Sequence, residues 1–167
     1  QFANAYRSLE SLKDKTSFDY LIRRSKWEDH QGDLGSAITI MEQAMKKVKG
    51  RKGLYTWALS NLGDMYGHAG RVEDAYSAYL EVLENDPSDF HCLQGIAWIA
   101  YAHDNDHRAA EKILHFILAN RDQPEIMLTL AEIAETEGRK EEKERLEQEF
   151  IATVSSPVYG AMYNKYL

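Results

Sequence analysis

The sequence predicts an all-α fold in which antiparallel helix pairs repeat along the chain as an α-solenoid. Three kinds of residue recur at steps of 38, 34 and 34 positions. The start of each second helix is marked by Ala37, Ala75, Ala109 and, in the last copy, Lys143. The tight-turn position holds Gly32, Gly70, Asp104 and Gly138. The middle of each first helix holds the small residues Ser25, Gly63, Ala97 and Ala131. Three sets of positions that recur with the same series of steps indicate a structural repeat.

Helix packing explains why these positions recur. A small residue such as Gly63 lets the partner helix approach closely, and Gly70 or Gly138 can adopt the positive φ that ends a helix and turns the chain. A single helix pair cannot bury its apolar face, so neighbouring pairs stack and bury a continuous core. The third copy has Asp104 and Asn105 at its turn, the residue types that tolerate this conformation next best.

The second copy carries the clearest motif. It reads Leu59-x-x-Leu62-Gly63-x-x-Tyr66, then Ala75-x-x-x-Tyr79 and Pro87. This pattern resembles the tetratricopeptide (TPR) family, with Leu in the Trp position and Tyr in the Phe position. The resemblance covers Phe18–Pro157, about four repeats, and implies a right-handed superhelix with a concave groove.

We therefore expect one TPR-like domain over 1–167, with repeats at about 18–51, 56–89, 90–123 and 124–157. An amphipathic helix over 1–15 is predicted from the spacing of Phe2, Ala5, Tyr6, Leu9 and Leu12. A closing helix over 157–167 is predicted from Ser155-Ser156-Pro157, a good helix start, and from the apolar face formed by Tyr159, Met162, Tyr163, Tyr166 and Leu167. The chain begins at Gln1 and is apolar from its second residue, so we expect a fragment of a longer protein.

Two copies depart from the family pattern. The first has Arg24 and Glu28 where an apolar residue and Tyr are usual, so its first helix is expected to be shifted in register or more exposed. About four extra residues near Lys52 lengthen the step into the second copy. The fourth copy has Lys143 and Glu147 at packing positions, which is typical of a terminal repeat.

Charge is unevenly distributed along the chain. The net charge is −7, the sum of +4 through Tyr55 and −11 in the remainder. The basic run over 46–52 suits the C-terminal end of a helix. It does not predict a nucleic-acid site, because the acidic remainder would repel phosphate. No apolar run is long enough to span a membrane, and the single Cys92 excludes an internal disulfide, which leaves a cytoplasmic or a periplasmic location open.

The resemblance implies that the first helix of each pair lines the groove and binds a partner. The groove positions of this sequence are Lys26, Asp29, Trp57, Ser60, Asp64, His91, Gln94, Trp98, Tyr101, Glu132 and Glu135. Aromatic anchors dominate binding hot spots, and carboxylates set orientation, so we expect a protein or peptide partner with basic and apolar side chains. The alternative for Trp57 and Trp98 is packing between repeats.

Neither a metal or cofactor site nor a catalytic site is predicted. Asp64 and His68 are four residues apart and share a helix face, and His91 one repeat along is the third possible ligand of a metal, but no motif with metal-ligand spacing is present. Ser60, Asp64 and His68 cannot form a catalytic triad, because the serine and histidine are about 12 Å apart along the helix.

Three classes of function remain open from the sequence. The first is a non-catalytic module that binds a peptide or helix in its groove. The second is a scaffold that self-associates through its terminal helices, which exposed Tyr159, Tyr163 and Tyr166 would favour. The third is an accessory region of a larger multidomain protein.

Overall fold

The computed structural model describes residue 7 and residues 9–166 of the chain. Turns and bends connect the helices of this part of the chain, and the described residues contain no β-strand. From Phe18 onward, the α-helices are α1 (Phe18–Gln31), α2 (Leu34–Val48), α3 (Lys52–His68), α4 (Val72–Asn85), α5 (Phe90–Ala102), α6 (His107–Asn120), α7 (Ile126–Thr136) and α8 (Lys140–Val154). A 3-10 helix follows at Pro157–Tyr159. The fold is all-α, as predicted.

Successive helices pack against one another. α1 packs on α2, α3 on α4 and α7 on α8, and the short turns within these pairs make their helices antiparallel. α2 also packs on α3, and α6 on α7. The chain forms two compact units, Gln1–Gly95 and Ile96–Leu167, whose boundary lies within α5.

The turns between paired helices follow the predicted glycine positions. Gly32, Gly70 and Gly138 adopt φ values of 84°, 72° and 75°. In the third turn Asn105 adopts the positive φ, at 56°, and Asp104 at the predicted turn position does not. A side chain with a short polar group can replace glycine there because it tolerates the left-handed region better than other residues do.

The small residue in the middle of α1 joins three helices of the first unit. Ser25 is fully buried, and its hydroxyl donates to the Ala37 carbonyl oxygen on α2 at 2.6 Å. The same hydroxyl lies 3.3 Å from the Met65 sulfur on α3. A larger residue would separate these helices, which is the packing reason for the predicted column of small residues.

A tyrosine fills the space beside two glycines in the same unit. A Cβ added at Gly63 of α3 would lie 2.6 Å from Tyr79 Cε1, and one added at Gly95 of α5 would lie 2.5 Å from Tyr79 Cε2. The Tyr79 ring of α4 therefore packs directly against the backbone of both helices. The role of Gly63 follows from the sequence pattern, whereas that of Gly95 does not.

The first copy keeps its charged residues by pairing them. Arg24 forms an ion pair with Glu28 one turn along α1, and it also lies 3.7 Å from Glu10. Both side chains are less than one-third exposed, at 30% and 13%. The extra residues that begin at Lys52 form the first turn of α3, so they lengthen a helix and do not form a loop.

The flanking segments differ from the predicted helices. Phe2, Ala5, Tyr6 and Leu167 lie outside the described residues. In the described part of 1–15, the helical residues end at Glu10, although Leu9 is buried as its spacing predicts. After Pro157 the backbone bonds link residues three apart, and Gly160 takes a φ of 51°, so a 3-10 helix and turns replace the closing helix.

Candidate protein-binding surfaces

The first surface is built by α1, α3 and the start of α5, within the first unit. We call it the Trp57 face; its members are Phe18, Lys26, Asp29, Trp57, Asp64, His68 and His91. At its centre the Lys26 ammonium nitrogen lies 5.2 Å from the centre of the Trp57 ring. The Phe18 ring meets the Trp57 ring edge-on at 6.4 Å. Trp57 is held on two sides and still 40% exposed, so it offers a rigid aromatic surface.

Ion pairs and hydrogen bonds join the helices of the Trp57 face. His68 Nδ1 on α3 lies 3.0 Å from Asp29 Oδ1 on α1. Further along, the Asp64 carboxylate accepts a bond from the Tyr79 hydroxyl at 2.7 Å and lies 3.0 Å from His91 Nε2 on α5. Both predicted groove carboxylates of this unit therefore already have a partner within the chain.

One predicted groove residue is not available to a partner. Ser60 is 6% exposed, and its hydroxyl donates to the Trp57 carbonyl oxygen at 2.8 Å. Ser60 lies on the buried side of α3. Its short side chain fits there because its hydroxyl bonds a backbone carbonyl of the same helix. Gln94 is half-buried on α5.

The second surface lies in the second unit and is called the Trp98 face; its members are Trp98, Tyr101, Glu132 and Glu135. Trp98 on α5 is 51% exposed. The Tyr101 hydroxyl lies 3.3 Å from both Glu132 Oε1 and Thr136 Oγ1 on α7. Glu135 accepts a bond from the Lys143 ammonium at 2.6 Å, so one of the two carboxylates is paired with a cation of α8.

Both predicted groove tryptophans are partly exposed. Trp57 and Trp98 are 40% and 51% exposed within their own units, and Trp57 also packs edge-on against Phe18 of the preceding helix pair. In contrast, the column residues Ala97 and Ala131 are buried at 1% and 2% exposure. Both tryptophans therefore leave part of their ring surface exposed, unlike these core residues.

The candidate metal ligands do not come together. His68 bonds Asp29, whereas Asp64 bonds His91, so Asp64, His68 and His91 belong to two separate pairs. Among the described residues, no group of three His, Cys, Asp or Glu side chains is placed to hold a metal ion. His103 lies 2.7 Å from Asp104, and Asp106 caps α6 by accepting from the Ala109 amide, as expected of polar turn residues.

We expect the stabilisation that His91 provides to decrease as the pH rises. Its hydrogen bond to Asp64 raises the pKa of His91 above the ordinary value. A raised pKa stabilises the folded chain fully below the unfolded value of about 6.5, and this contribution is lost as the pH rises through the folded value. The drop in thermal midpoint caused by His91→Gln should therefore be larger at about pH 5.5 than at about pH 8.5.

The control for this pH dependence is His115→Gln, since His115 is exposed on α6. It should change the thermal midpoint little at either pH. A His91→Gln effect that stays constant or grows with pH would contradict a protonated His91 bonded to Asp64.

Two residues of the Trp57 face, His68 and Phe18, and the buried Tyr79 that bonds Asp64 are not among the predicted groove positions. From the sequence, His68 is grouped with Asp64, yet it bonds Asp29, which is 39 positions away. Phe18 is unassigned, and Tyr79 appears only as a packing residue. A single sequence carries no signal for such contacts, because they depend on how neighbouring pairs stack.

Comparison with known proteins supports the fold. No protein-family model matches the sequence, and no curated protein matches it. Among solved structures the chain is similar to PilF of Pseudomonas aeruginosa, a TPR solenoid, with a TM-score of 0.67 and 17% identity. The match covers 90% of this chain and 66% of the PilF chain. At this identity the likeness shows the fold alone, which is a TPR-like helical repeat.

No helix within the described residues combines the length and the apolar character needed to cross a lipid bilayer.

Proposed function

We propose that this chain is a TPR-type protein-interaction module that binds a peptide or a helix of a partner on the exposed faces of its first helices. The observation that carries the proposal is the exposure of Trp57 and Trp98, at 40% and 51%. Large aromatic side chains left at a surface are typical of binding hot spots, since they bury much area with little loss of rotamer freedom. A non-catalytic role agrees with the fold.

The charges near each tryptophan define the chemistry of the partner. On the Trp98 face, Glu132 forms no salt bridge with any described residue, and its carboxylate accepts a bond from the Tyr101 hydroxyl at 3.3 Å. On the Trp57 face, the carboxylates of Asp29 and Asp64 lie 3.0 Å from His68 and His91. A partner that inserts apolar side chains beside the tryptophans and presents lysine or arginine to Glu132 fits this pattern. Nucleic acid does not, given a net charge of −7.

Affinity capture from an extract of the source organism tests the proposal with a matched control in each unit. Trp57→Ala is compared with Tyr76→Ala, because Tyr76 is equally exposed, at 42%, but lies on the second helix of its pair. Trp98→Ala is compared with Phe116→Ala, at 49% exposure on α6. We expect a partner that the tryptophan variants retain at least tenfold less and that both control variants retain like the wild type.

Asp64→Lys, the most direct reversal of groove charge, is unsuitable for this test. It would break the bonds to Tyr79 and His91 and would confound binding with folding. All four aromatic variants should instead keep a cooperative thermal transition. Equal retention of every captured protein by the tryptophan and control variants would reject the proposed surface.

Self-association is the second candidate function. At the C-terminal end, Val158 and Met162 are 84% and 72% exposed, which favours an apolar contact with another molecule. Tyr163 argues against the predicted tyrosine-based contact, because it is half-buried and its hydroxyl bonds Glu125 at 2.7 Å. Sedimentation over a range of concentrations separates the two functions. A mass that grows with concentration favours a scaffold, and a constant mass favours a binding module or an accessory region of a larger protein.

A further inference from the structure

A cavity in the first unit lies on the side of α3 opposite to the Trp57 face. It is a cavity of about 460 Å³ between α2, α3 and α4, all within the first unit, and we call it the α2–α4 cleft. From α3 it is lined by Tyr55, Leu59, Leu62 and Tyr66. At about 100° per residue these four side chains share one side of the helix, and Trp57 points the other way. The cavity is within the size range of ligand pockets, roughly 300–1,000 Å³.

The cleft has an apolar floor between two fixed tyrosines. Leu59 and Leu62 are 5% and 3% exposed, and Met45 and Ala78 complete the apolar lining. The Tyr55 hydroxyl donates to Glu81 Oε1 at 3.0 Å, and the Tyr66 hydroxyl donates to Glu42 Oε1 at 3.1 Å. Each bond joins α3 to a neighbouring helix, so the tyrosine rings are held apart and the cleft is preorganised for an apolar group.

Arg71 strengthens one wall of the cleft. Its guanidinium lies 4.4 Å from the centre of the Tyr66 ring and donates to Asp74 Oδ2 at 2.7 Å. The carboxylates around the cleft, Glu42, Asp74 and Glu81, therefore all accept bonds from donors of this chain. A basic ligand would have to compete with those donors.

The charge that stays unmatched at the rim is positive. Lys46 lines the cleft from the last turn of α2 and Lys49 lines it from the residue that caps this helix, and neither forms a salt bridge with any described residue. Lys46 also lines the adjoining cavity together with Lys15 and Lys47, so the basic surface continues beyond the cleft. An occupant that carries carboxylates next to an apolar group would complement both the floor and the rim.

We propose that the α2–α4 cleft binds an acidic segment of a partner protein. One large apolar side chain of that segment packs on Leu59 and Leu62 between the two tyrosines, and a neighbouring carboxylate contacts Lys46 and Lys49. This site does not depend on the Trp57 face. The two sites lie on opposite sides of α3, so they leave room for two partners, or two parts of one partner, on this chain.

The probe for this site is a fluorescein-labelled peptide with a central phenylalanine flanked by aspartates. Two further peptides serve as comparisons, one with alanine for the phenylalanine and one with lysines for the aspartates. Fluorescence anisotropy gives the affinity, and amide chemical shifts in NMR spectra give the location. We expect the first peptide to bind and to shift the amides of Tyr55, Leu59 and Lys46, and we expect both comparison peptides to bind at least tenfold more weakly.

The decisive variant is Lys46→Glu with Lys49→Glu. Both lysines are exposed, so the chain should remain folded, and the thermal midpoint measures the loss of their favourable interaction with the C-terminus of α2. The matched control is Lys112→Glu with Lys140→Glu, which makes the same change of charge at exposed positions in the second unit. The cleft variant should weaken peptide binding about tenfold or more, and the control should leave it within about twofold, since exposed ion pairs act over short range in salt.

Several outcomes would overturn the proposal. They are equal affinity of the cleft and control variants, shifts confined to the amides around Trp57, and equal binding of the lysine-flanked peptide. Binding of N-acetylphenylalanine as tight as the peptide would instead indicate a small-molecule pocket. Cleft amides that shift with protein concentration, without peptide, would indicate a second copy of this chain as the occupant.

Discussion

Replacing Tyr79 with alanine is expected to lower the free energy of unfolding by about 3–5 kcal/mol, the range for removing a buried aromatic side chain. Tyr79 is 5% exposed, and its ring fills the space against the backbone at Gly63 and Gly95. The two facing residues Gly63 and Gly95 have no side chain that could move into the cavity. Urea denaturation followed by far-ultraviolet circular dichroism measures the loss.

One substitution separates the contribution of the Tyr79 ring from that of its hydroxyl, and a second, at Tyr76, serves as the control. Tyr79→Phe keeps the ring but removes the bond to Asp64, and it should cost about 1.5–3 kcal/mol, the range for a hydrogen bond to a charged group. Tyr76→Ala removes an aromatic residue that is 42% exposed on the same helix, and it should change stability by no more than about 0.5 kcal/mol. Equal losses for Tyr79→Ala and Tyr76→Ala would contradict the central packing role of Tyr79.

The same contact can be tested from the opposite side. Gly95→Ala would place a Cβ 2.5 Å from the Tyr79 ring, so it should destabilise the chain by about 1–3 kcal/mol, as overpacking does. Gly67→Ala on α3 meets open space, and the better helix propensity of alanine should make it neutral or stabilising by up to about 1 kcal/mol. In a Tyr79→Leu background, which lacks the ring atoms nearest Gly95, the cost of Gly95→Ala should largely disappear.

Phe150→Ala is expected to lower the free energy of unfolding by about 3–5 kcal/mol through loss of a second buried aromatic side chain, now in the second unit. Phe150 on α8 is 1% exposed. The Tyr163 and Tyr166 rings meet it edge-on at 5.7 and 5.3 Å, so it also holds the C-terminal turns in place. Urea denaturation gives the loss in stability, and limited proteolysis after 157 gives the release of those turns.

The control for this variant is the adjacent residue. Ile151 is 47% exposed, so Ile151→Ala should cost less than about 1 kcal/mol and should leave the proteolysis pattern unchanged. A Phe150→Ala variant that loses stability without faster cleavage after 157 would show that the turns are held by other contacts. The bonds from Tyr163 to Glu125 and from Tyr159 to Asp122 would then be the contacts to remove next.

The candidate surfaces were predictable in part. Repeat spacing and family resemblance place Trp57 and Trp98 on first helices, where both are exposed. The same reasoning includes Ser60, which is buried, and treats Asp64 as a free carboxylate although Tyr79 and His91 already bond it. Position in a repeat gives the helix and its approximate face, but not which neighbouring side chain reaches a polar group first.

The sequence by itself determined the helix pairs, their turns and the small residues at their crossings. These features depend on local backbone preference and on a periodic pattern, such as the positive φ of Gly70 and the burial of Ser25. Only the tertiary structure decided that the Asp64 carboxylate bonds Tyr79 and His91. It also decided that Gly95 faces the Tyr79 ring and that a cleft with a basic rim opens beside Leu59. Each of these depends on contacts between residues far apart in the chain, whose geometry is set by helix stacking and not by any local sequence signal.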